Sequence, residues 1–493
     1  MAVKMTSRTK QKKITLILLW LILILASFLR LYRIADYATF LGDEGRDALV
    51  VKRMIVDHKF TLLGPSTSIG NLYLGPVYYY FMLLPLWLAR LDPVGPAIMV
   101  AVFGVATVYL IFKLGNEFFG SPTGLIAASL YSVSWPIISH SRFSWNPNPT
   151  PFFAALAVYA LLKLLKSDRG FWIIVVGFCL GVCTQLHYIS WLFVISSLVT
   201  ILFLRPRISG KWYILGAGAF LIPILPLLFF EVRHHFIITE GLWRFFREEK
   251  KLGFSLVTYL KTVAFVPWRL FYYFLAGGKK IIAYFLIVAG FLPFLGLLKK
   301  EKKSPVLTTL FFWLLIGVIG VSFYLGDIHD HYLGFLFPMP FLLVSIVIKK
   351  IFQMRLIFIG FILLAFLLVV NILNLDPVAG RGPNYQIKRA REVGKVIAED
   401  AKGSRFNLAL ISPTYDFRAM NYRYFVEIYD ARPEGFENYS GIDTLYVIYE
   451  QENIPLGDMT AWEISSFGES EVATEWYFED FGFRVVKLRK KGV

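Results

Sequence analysis

The chain has 493 residues, of which 57% are hydrophobic and only 17% charged, and its mean hydropathy is +0.59. Soluble proteins carry about 25% charged residues, so a soluble globular protein is excluded. The net charge of +17 falls in short basic clusters between apolar runs, the positive-inside pattern rather than a phosphate-tracking surface, which excludes nucleic acid as a partner.

The N-terminal "MAVKMTSRTKQKK" runs into a long apolar stretch without a small-residue cleavage site, which predicts an uncleaved signal anchor. Runs such as "ITLILLWLILILASFLRLY" and "LIFIGFILLAFLLVVNIL" have the length of a bilayer core. Basic clusters lie at 4–13, Lys163/Lys166/Arg169, Arg205/Arg207/Lys211, 299–303 and Lys349/Lys350/Arg355. With all of these on the cytoplasmic side, spans near 14–34, 97–114, 122–139, 151–166, 171–187 and 189–204 alternate consistently. Further spans fall near 213–230, 281–298, 306–325, 333–348 and 356–373, giving an α-helical polytopic membrane protein of about eleven helices. The apolar segment 73–91 must then not cross. Its Gly75-Pro76, Pro85 and Tyr78–Tyr80 predict a helix lying in, or dipping into, the outer leaflet. Cys179 and Cys183 share one apolar helix, which argues against a disulfide framework or a zinc site.

This topology sends the polar loops to the outside: the first loop (35–95), 139–151, 185–190, 231–253 and 326–334. Each carries candidate chemistry. "FLGDEGRDALV" (40–50) places Asp43, Glu44 and Asp47 within five positions, with Gly42-Asp43 opening a helix. Such a helix can be merely an amphipathic surface element with acids at its positive end. It is also a rigid mount for a carboxylate that acts as general base or ligates a divalent metal. "SRFSWNPNPTP" supplies Arg142 to grip a phosphate, or simply an anchored loop. "FFEVRHHF" puts Glu231, Arg233, His234 and His235 at a bilayer boundary, an anion site or interfacial snorkelling. "GDIHDHYLGFLFP" gathers Asp327, His329, Asp330 and His331, but lacks the helix that would present metal ligands. His187 and Tyr188 read as an interfacial packing pair.

From about residue 375 the character changes. "IKRAREVGKVIAED" has a helical pattern, and "FNLALIS", "TLYVIYE" and "FRVVKLRK" read as strands. A division follows into a membrane domain, 1–374, and a small extracytoplasmic α/β domain, 375–493. Neither a nucleotide-binding glycine fingerprint nor a nucleophile elbow occurs in the tail.

An Asp-Glu pair just after the first span, inside a long external loop, resembles the GT-C superfamily of membrane glycosyltransferases. "GPSTSIGNLYLGPVYYYFML" is similar to that superfamily's P-P-L-Y-Y-Y interfacial helix, with Gly75 in place of the first proline. "FGSPTGLIAASLYSVSWPIISHSR" resembles its third span and loop, and "HYLGFLFPMPFLLV" its late R-Y element with His331 for Arg. The nearest likeness is to family 39, the protein-mannosyltransferases and aminoarabinose transferases, over residues 14–350. The resemblance implies a polyprenyl-phosphate-sugar donor, membrane lipid around it, an acceptor left undefined, and a plasma (inner) membrane location with a cytoplasmic N-terminus. It implies Asp43 as general base with Glu44 as partner, in an inverting displacement. Arg46, Tyr78, Arg142, His187, Glu231, Arg233, His331 and Tyr332 would hold substrate. No cofactor is required, though some superfamily members use a divalent cation. A lipid-linked-sugar flippase or transporter is the alternative, set against the lack of an internal repeat and of charges at span centres.

Single cysteines replacing Asp92 and Lys302 test this topology: an impermeant thiol reagent on intact cells should label the first and not the second. The opposite pattern means that 73–91 crosses.

Overall fold

The computed structural model describes residues 2–67, 72–249, 255–301, 304–324, 326–412, 418–450 and 461–491. The basic N-terminus leads into α1 (Ala2–Leu31), and a short α2 (Ile34–Tyr37) turns the chain into the first loop. That loop carries α3 (Gly42–Val56) and α4 (Val77–Leu88). Next come α5 (Val94–Phe119) and α6 (Ser121–Val133), hinged at Gly120, whose φ of 98° needs glycine. Along this hairpin Gly115 and Gly124 let the backbones touch; a Cβ on Gly115 would come within 2.5 Å of the Gly124 Cα. Pro136 cannot continue α6, so the helix breaks at Ser134 and restarts as α7 (Trp135–His140).

The membrane part continues with α8 (Thr150–Ser167), α9 (Phe171–Leu186), α10 (Trp191–Leu204), α11 (Gly210–Leu221) and α12 (Leu225–Arg233). Then follow α13 (Ile237–Glu249), α14 (Leu256–Phe274), α15 (Lys280–Lys300), α16 (Pro305–Val321), α17 (Pro338–Gln353) and α18 (Ile357–Ile372). All eleven expected spans fall on helical segments. By length and composition five stand alone as membrane-crossing helices, and a sixth forms when the Asp330–Leu336 3-10 turn joins α17 at a 54° bend. The chain is an integral membrane protein. The segment 73–91 is helical only over the twelve residues of α4, about 18 Å at 1.5 Å per residue. A bilayer core of about 30 Å is out of its reach. Two helices were not anticipated. Lys261, Pro267 and Arg269 interrupt the apolar run in α14, and α13 is amphipathic rather than apolar. Of the expected basic stretch 248–251, residues 250 and 251 lie outside the described residues.

The tail forms α19 (Gln386–Asp400), β1 (Phe406–Ile411), α20 (Met420–Ile428), β2 (Thr444–Tyr449), α21 (Trp462–Phe467), β3 (Ser470–Phe478) and β4 (Phe483–Lys490). The sheet order is β1-β2-β4-β3: β1 runs parallel to β2 with Phe406 opposite Thr444, and the other pairs are antiparallel. β1, β2 and β4 match the three strand-like runs. β3 escaped notice because it is a largely exposed edge whose alternation is broken by a register shift between Val472 and Thr474.

This α/β unit grips the first loop. Tyr385 N donates to Asp36 O (2.9 Å), Phe40 N to Gln386 Oε1 (2.7 Å) and Asn421 Nδ2 to Phe40 O (3.1 Å). α20 lies flat against α3, where Gly45 is so near that a Cβ would sit 2.3 Å from Asn421 N. Buried Glu427 of α20 pairs with Lys52 and Arg53 of α3. Replacing Gly45 by valine should therefore force α20 off α3 and destabilise the fold by about 1–3 kcal/mol. Thermal melting of the purified variant, with faster proteolysis of the tail, checks this; an unchanged melt rules it out.

Candidate functional site

The site is built at the N-terminus of α3, on the face that carries the first loop and the tail. Glycine 42 and the following acids begin the helix because carboxylates are favoured at its positive end. Glu44 supplies the cap, its Oε2 accepting from Leu41 N at 2.9 Å. Burial pushes the Glu44 carboxyl up to about 8 despite that bond, so it is a neutral structural cap over much of the pH range. Asp43, one residue earlier, is exposed. Two donors fix it: Arg46 Nη1 to Oδ1 at 2.7 Å and Trp145 Nε1 to Oδ2 at 3.2 Å.

Arg46 is in turn fixed by Asp47, to which its Nη2 and Nε lie at 2.8 and 2.9 Å. Asp47 is fully buried, receives the Tyr79 hydroxyl at 3.1 Å, and leaves Oδ2 without a hydrogen-bond partner among the described residues. Burial raises its carboxyl to about 6, opposed by the Arg46 charge. Burial works against the Arg46 cation as well, but Asp47 and Asp43 outweigh it and hold the guanidinium above its ordinary range. Arg46 is thus a bridge between two carboxylates, which leaves it little capacity for the substrate contact expected of it. Tyr78 is likewise enclosed, its hydroxyl 2.6 Å from Ser144 Oγ.

Trp145 carries the site across to the second wall. Its loop is held by Asn146 Nδ2 donating to Leu186 O (2.7 Å) and Asn148 Nδ2 to Phe143 O (3.1 Å). The indole meets the His331 ring edge-on at 4.4 Å between centroids. His331 then touches His187 (5.4 Å), His329 (5.7 Å) and Tyr332 (4.6 Å). Burial takes His187 down to about 4. A neutral imidazole there cannot offset a phosphate charge.

Cations stand just behind them. Arg269 of α14 makes a fork with Asp330, at 2.7 and 2.9 Å, and lies 4.3 Å from the Tyr273 ring. Tyr273 packs on Trp135 (4.9 Å), over which Arg381 sits at 5.7 Å. Arg142 donates to Tyr32 O at 2.6 Å, lies 4.7 Å from the Tyr37 ring, and keeps a buried Nε without a partner among the described residues. A cavity of about 270 Å³ opens here, lined by Phe28, Tyr32, Trp135, Ile138, Arg142 and Val378, among others. Exposed Phe28 and Tyr32 belong to the outward surface of the first span, so the cavity faces lipid.

Of the expected residues, Asp43, His187, His331 and Tyr332 are linked through Trp145, while Arg142 lines the lipid-facing cavity. Glu231 does not contribute: its carboxylate accepts from Ile238 N and Thr239 N (both 2.9 Å) and caps α13. Arg233 is exposed, the last residue of α12. Sequence reasoning missed Arg269, Arg381 and the anchoring role of Asp47. "VPWRLFYYF" offered a signal for the first, an arginine among aromatics where lipid and water meet. Among the described residues no three His, Cys, Asp or Glu side chains converge as a metal ion would need, and both Asp43 oxygens are occupied by donors.

The family model of dolichyl-phosphate-mannose-protein mannosyltransferases matches residues 74–230. ArnT from Cupriavidus metallidurans, bound to undecaprenyl phosphate, superposes with a TM-score of 0.59 at 13% identity, covering 96% of this chain and 97% of that one. The archaeal oligosaccharyltransferase AglB from Archaeoglobus fulgidus, with an inhibitory peptide and a dolichol-phosphate, gives 0.57 at 11%, covering 96% and 74%. The fold is the GT-C fold. No curated protein matches the sequence. Within this GT-C fold the matched stretch holds Tyr78, Arg142, Trp145 and His187, whereas Asp43, Arg269 and His331 lie outside it and rest on geometry alone.

The Glu44 environment makes a testable statement about pH. The folded protein keeps this proton up to about pH 8, while an unfolded carboxyl releases it near its ordinary 4.5. The stabilisation is therefore complete below the lower value and lost as pH rises through the upper one. Melting temperatures of the wild type should fall from about pH 5 to 8 more steeply than those of Glu44→Gln. Parallel curves would show that Glu44 is not held protonated.

Proposed function

We propose that the protein transfers a sugar from a polyprenyl-phosphate donor to an acceptor at the outer face of the membrane. The observation that carries this reading is an exposed, doubly anchored carboxylate joined through Trp145 to a wall of histidine and tyrosine rings, in a chain whose lipid-facing cavity is lined by Arg142. Asp43 serves as general base, aimed by Arg46 and Trp145. Arg142, Arg269 and Arg381 form the basic side, and the apolar cavity beside Arg142 accommodates the first part of an isoprenoid chain. His187, His331 and Tyr332 provide an uncharged aromatic wall between them, suited to packing against a sugar ring.

The likeness to ArnT and AglB, both seen with polyprenyl phosphates, supports this donor class. A sugar held through phosphate brings its own leaving group, so the protein needs only to orient the acceptor, take its proton and steady the departing anion. The acceptor oxygen or nitrogen forms a bond to the anomeric carbon as the bond from that carbon to the phosphate oxygen breaks. The bonding pair leaves on phosphate, the acceptor's proton goes to Asp43, and attack from the opposite face inverts the anomeric configuration. His331 stands where the resemblance expects arginine, and Arg269, whose Nη1 is left free of the Asp330 fork, is the nearby guanidinium that offers phosphate a donor instead.

The loops then face outward and the basic N-terminus lies in the cytoplasm of a cell whose plasma (inner) membrane holds the protein. Assay with a panel of polyprenyl-phosphate sugars on protein-containing membranes tests the proposal. Asp43→Asn should lower the transfer rate by about 10²–10⁴-fold with donor binding retained, whereas Arg269→Ala should act chiefly on the donor KM. Transfer at the wild-type rate by a well-expressed Asp43→Asn protein would remove this carboxylate from the mechanism.

A further inference from the structure

A second polar cleft lies at the opposite end of α3. It has a volume of about 510 Å³ and is lined by Lys52, Arg90, Glu427, Asp430, Arg432 and neighbouring apolar atoms. Lys52 is about 14 Å along the helix axis from Asp43, so the cleft is separate from the site above. Three of its lining residues, Arg90 (φ 53°), Leu91 (φ 65°) and Asp430 (φ 63°), hold left-handed backbone conformations. All three follow a helix end, α4 or α20, where this conformation closes the helix and turns the chain into the cleft wall.

The charges in the cleft are loosely paired. Lys52 is buried, yet its ammonium is 3.4 Å from Glu427, and Arg432 is 3.6 Å from Asp57. Charge-assisted bonds close to about 2.7–2.9 Å, so these cations retain donors for another anion. Arg90 is exposed and has no ion pair among the described residues. Among the charges, three cations against the acids Glu427 and Asp430, the lining includes the apolar Val56, Leu91 and Ile428. Arg90 follows the end of α4 by two residues, so the exposed Trp87 and Leu88 of that short helix bring an apolar edge to the Arg90 side of the cleft.

We infer that this cleft binds the phosphate headgroup of an anionic phospholipid from the leaflet on the first-loop side, with its acyl chains against the α4 edge. A soluble phosphate would find the cations but not the apolar edge; a zwitterionic lipid would meet the edge with a competing ammonium. Because α3 carries Asp43 at one end and Lys52 at the other, such a lipid also braces the helix on which the site is mounted. The inference concerns binding and does not depend on the transferase reading.

Full-length protein in neutral detergent, melted while titrated with short-chain phosphatidylglycerol, phosphatidylcholine or glycerol 3-phosphate, tests it. Phosphatidylglycerol should raise the melting temperature saturably and the other two should not. The Arg90→Ala/Arg432→Ala double variant should need about tenfold more lipid for half-saturation, and Arg432→Ala alone, touching the fold only through Asp57, an intermediate amount. Arg142→Ala, on the other cavity, should respond as wild type does. An unaltered titration in the double variant overturns the site, and equal saturation by glycerol 3-phosphate overturns the lipid assignment.

Discussion

A buried aspartate holding an arginine that holds a second, exposed aspartate is the constraint on which this molecule is arranged. Asp47 has no access to water and leans on Arg46 and the Tyr79 hydroxyl for its charge. Such a group is costly unless paired, and the pair is possible only because α3 presents residues 43, 46 and 47 on one side. The helix must therefore be docked with that side toward α4 and the Trp145 loop. Everything that docks it, from the Glu44 cap to the contact of Gly45 with α20, serves the aim of Asp43. A free surface helix with the same sequence would leave its first carboxylate to wander.

The opposing wall follows another logic. Its histidines and tyrosine pack ring against ring, and its positive charge sits one layer back on arginines lying against aromatic faces. Guanidinium groups tolerate this because they stack and fork while remaining charged. The acid at Asp43, the ring cluster and the guanidinium groups thus stand in succession, linked by Trp145 and by the Asp330–Arg269 fork.

Much of this was legible in the sequence, and the limits have physical causes. Apolar runs and basic clusters reveal membrane helices because no other pattern survives in hydrocarbon, and all eleven segments are helical. The Asp-Glu step after the first span located α3. α14 stayed hidden because two charges and a proline break its hydropathy, although those same features bring Arg269 to the site. Glu231 looked functional from its histidine neighbours, yet its oxygens were destined for the backbone of a helix six residues on, which only the fold reveals. Asp47 and Arg46 were visible, but which of three neighbouring carboxylates is buried depends on what packs against the helix. That packing comes from a part of the chain whose strands were mostly legible and whose docking was not.

The grip of the tail on the first loop has a consequence for how the protein is made. Phe40 waits for partners 346 and 381 residues downstream, a delay on the order of tens of seconds during synthesis. Until the ribosome has finished the last quarter of the chain, the loop bearing Asp43 lacks its backbone partners and α3 lacks its cover. A nascent or prematurely terminated chain can insert its helices while α3 still lacks its docking partner. The order of translation itself leaves Asp43 without a fixed mount until α20 has been made.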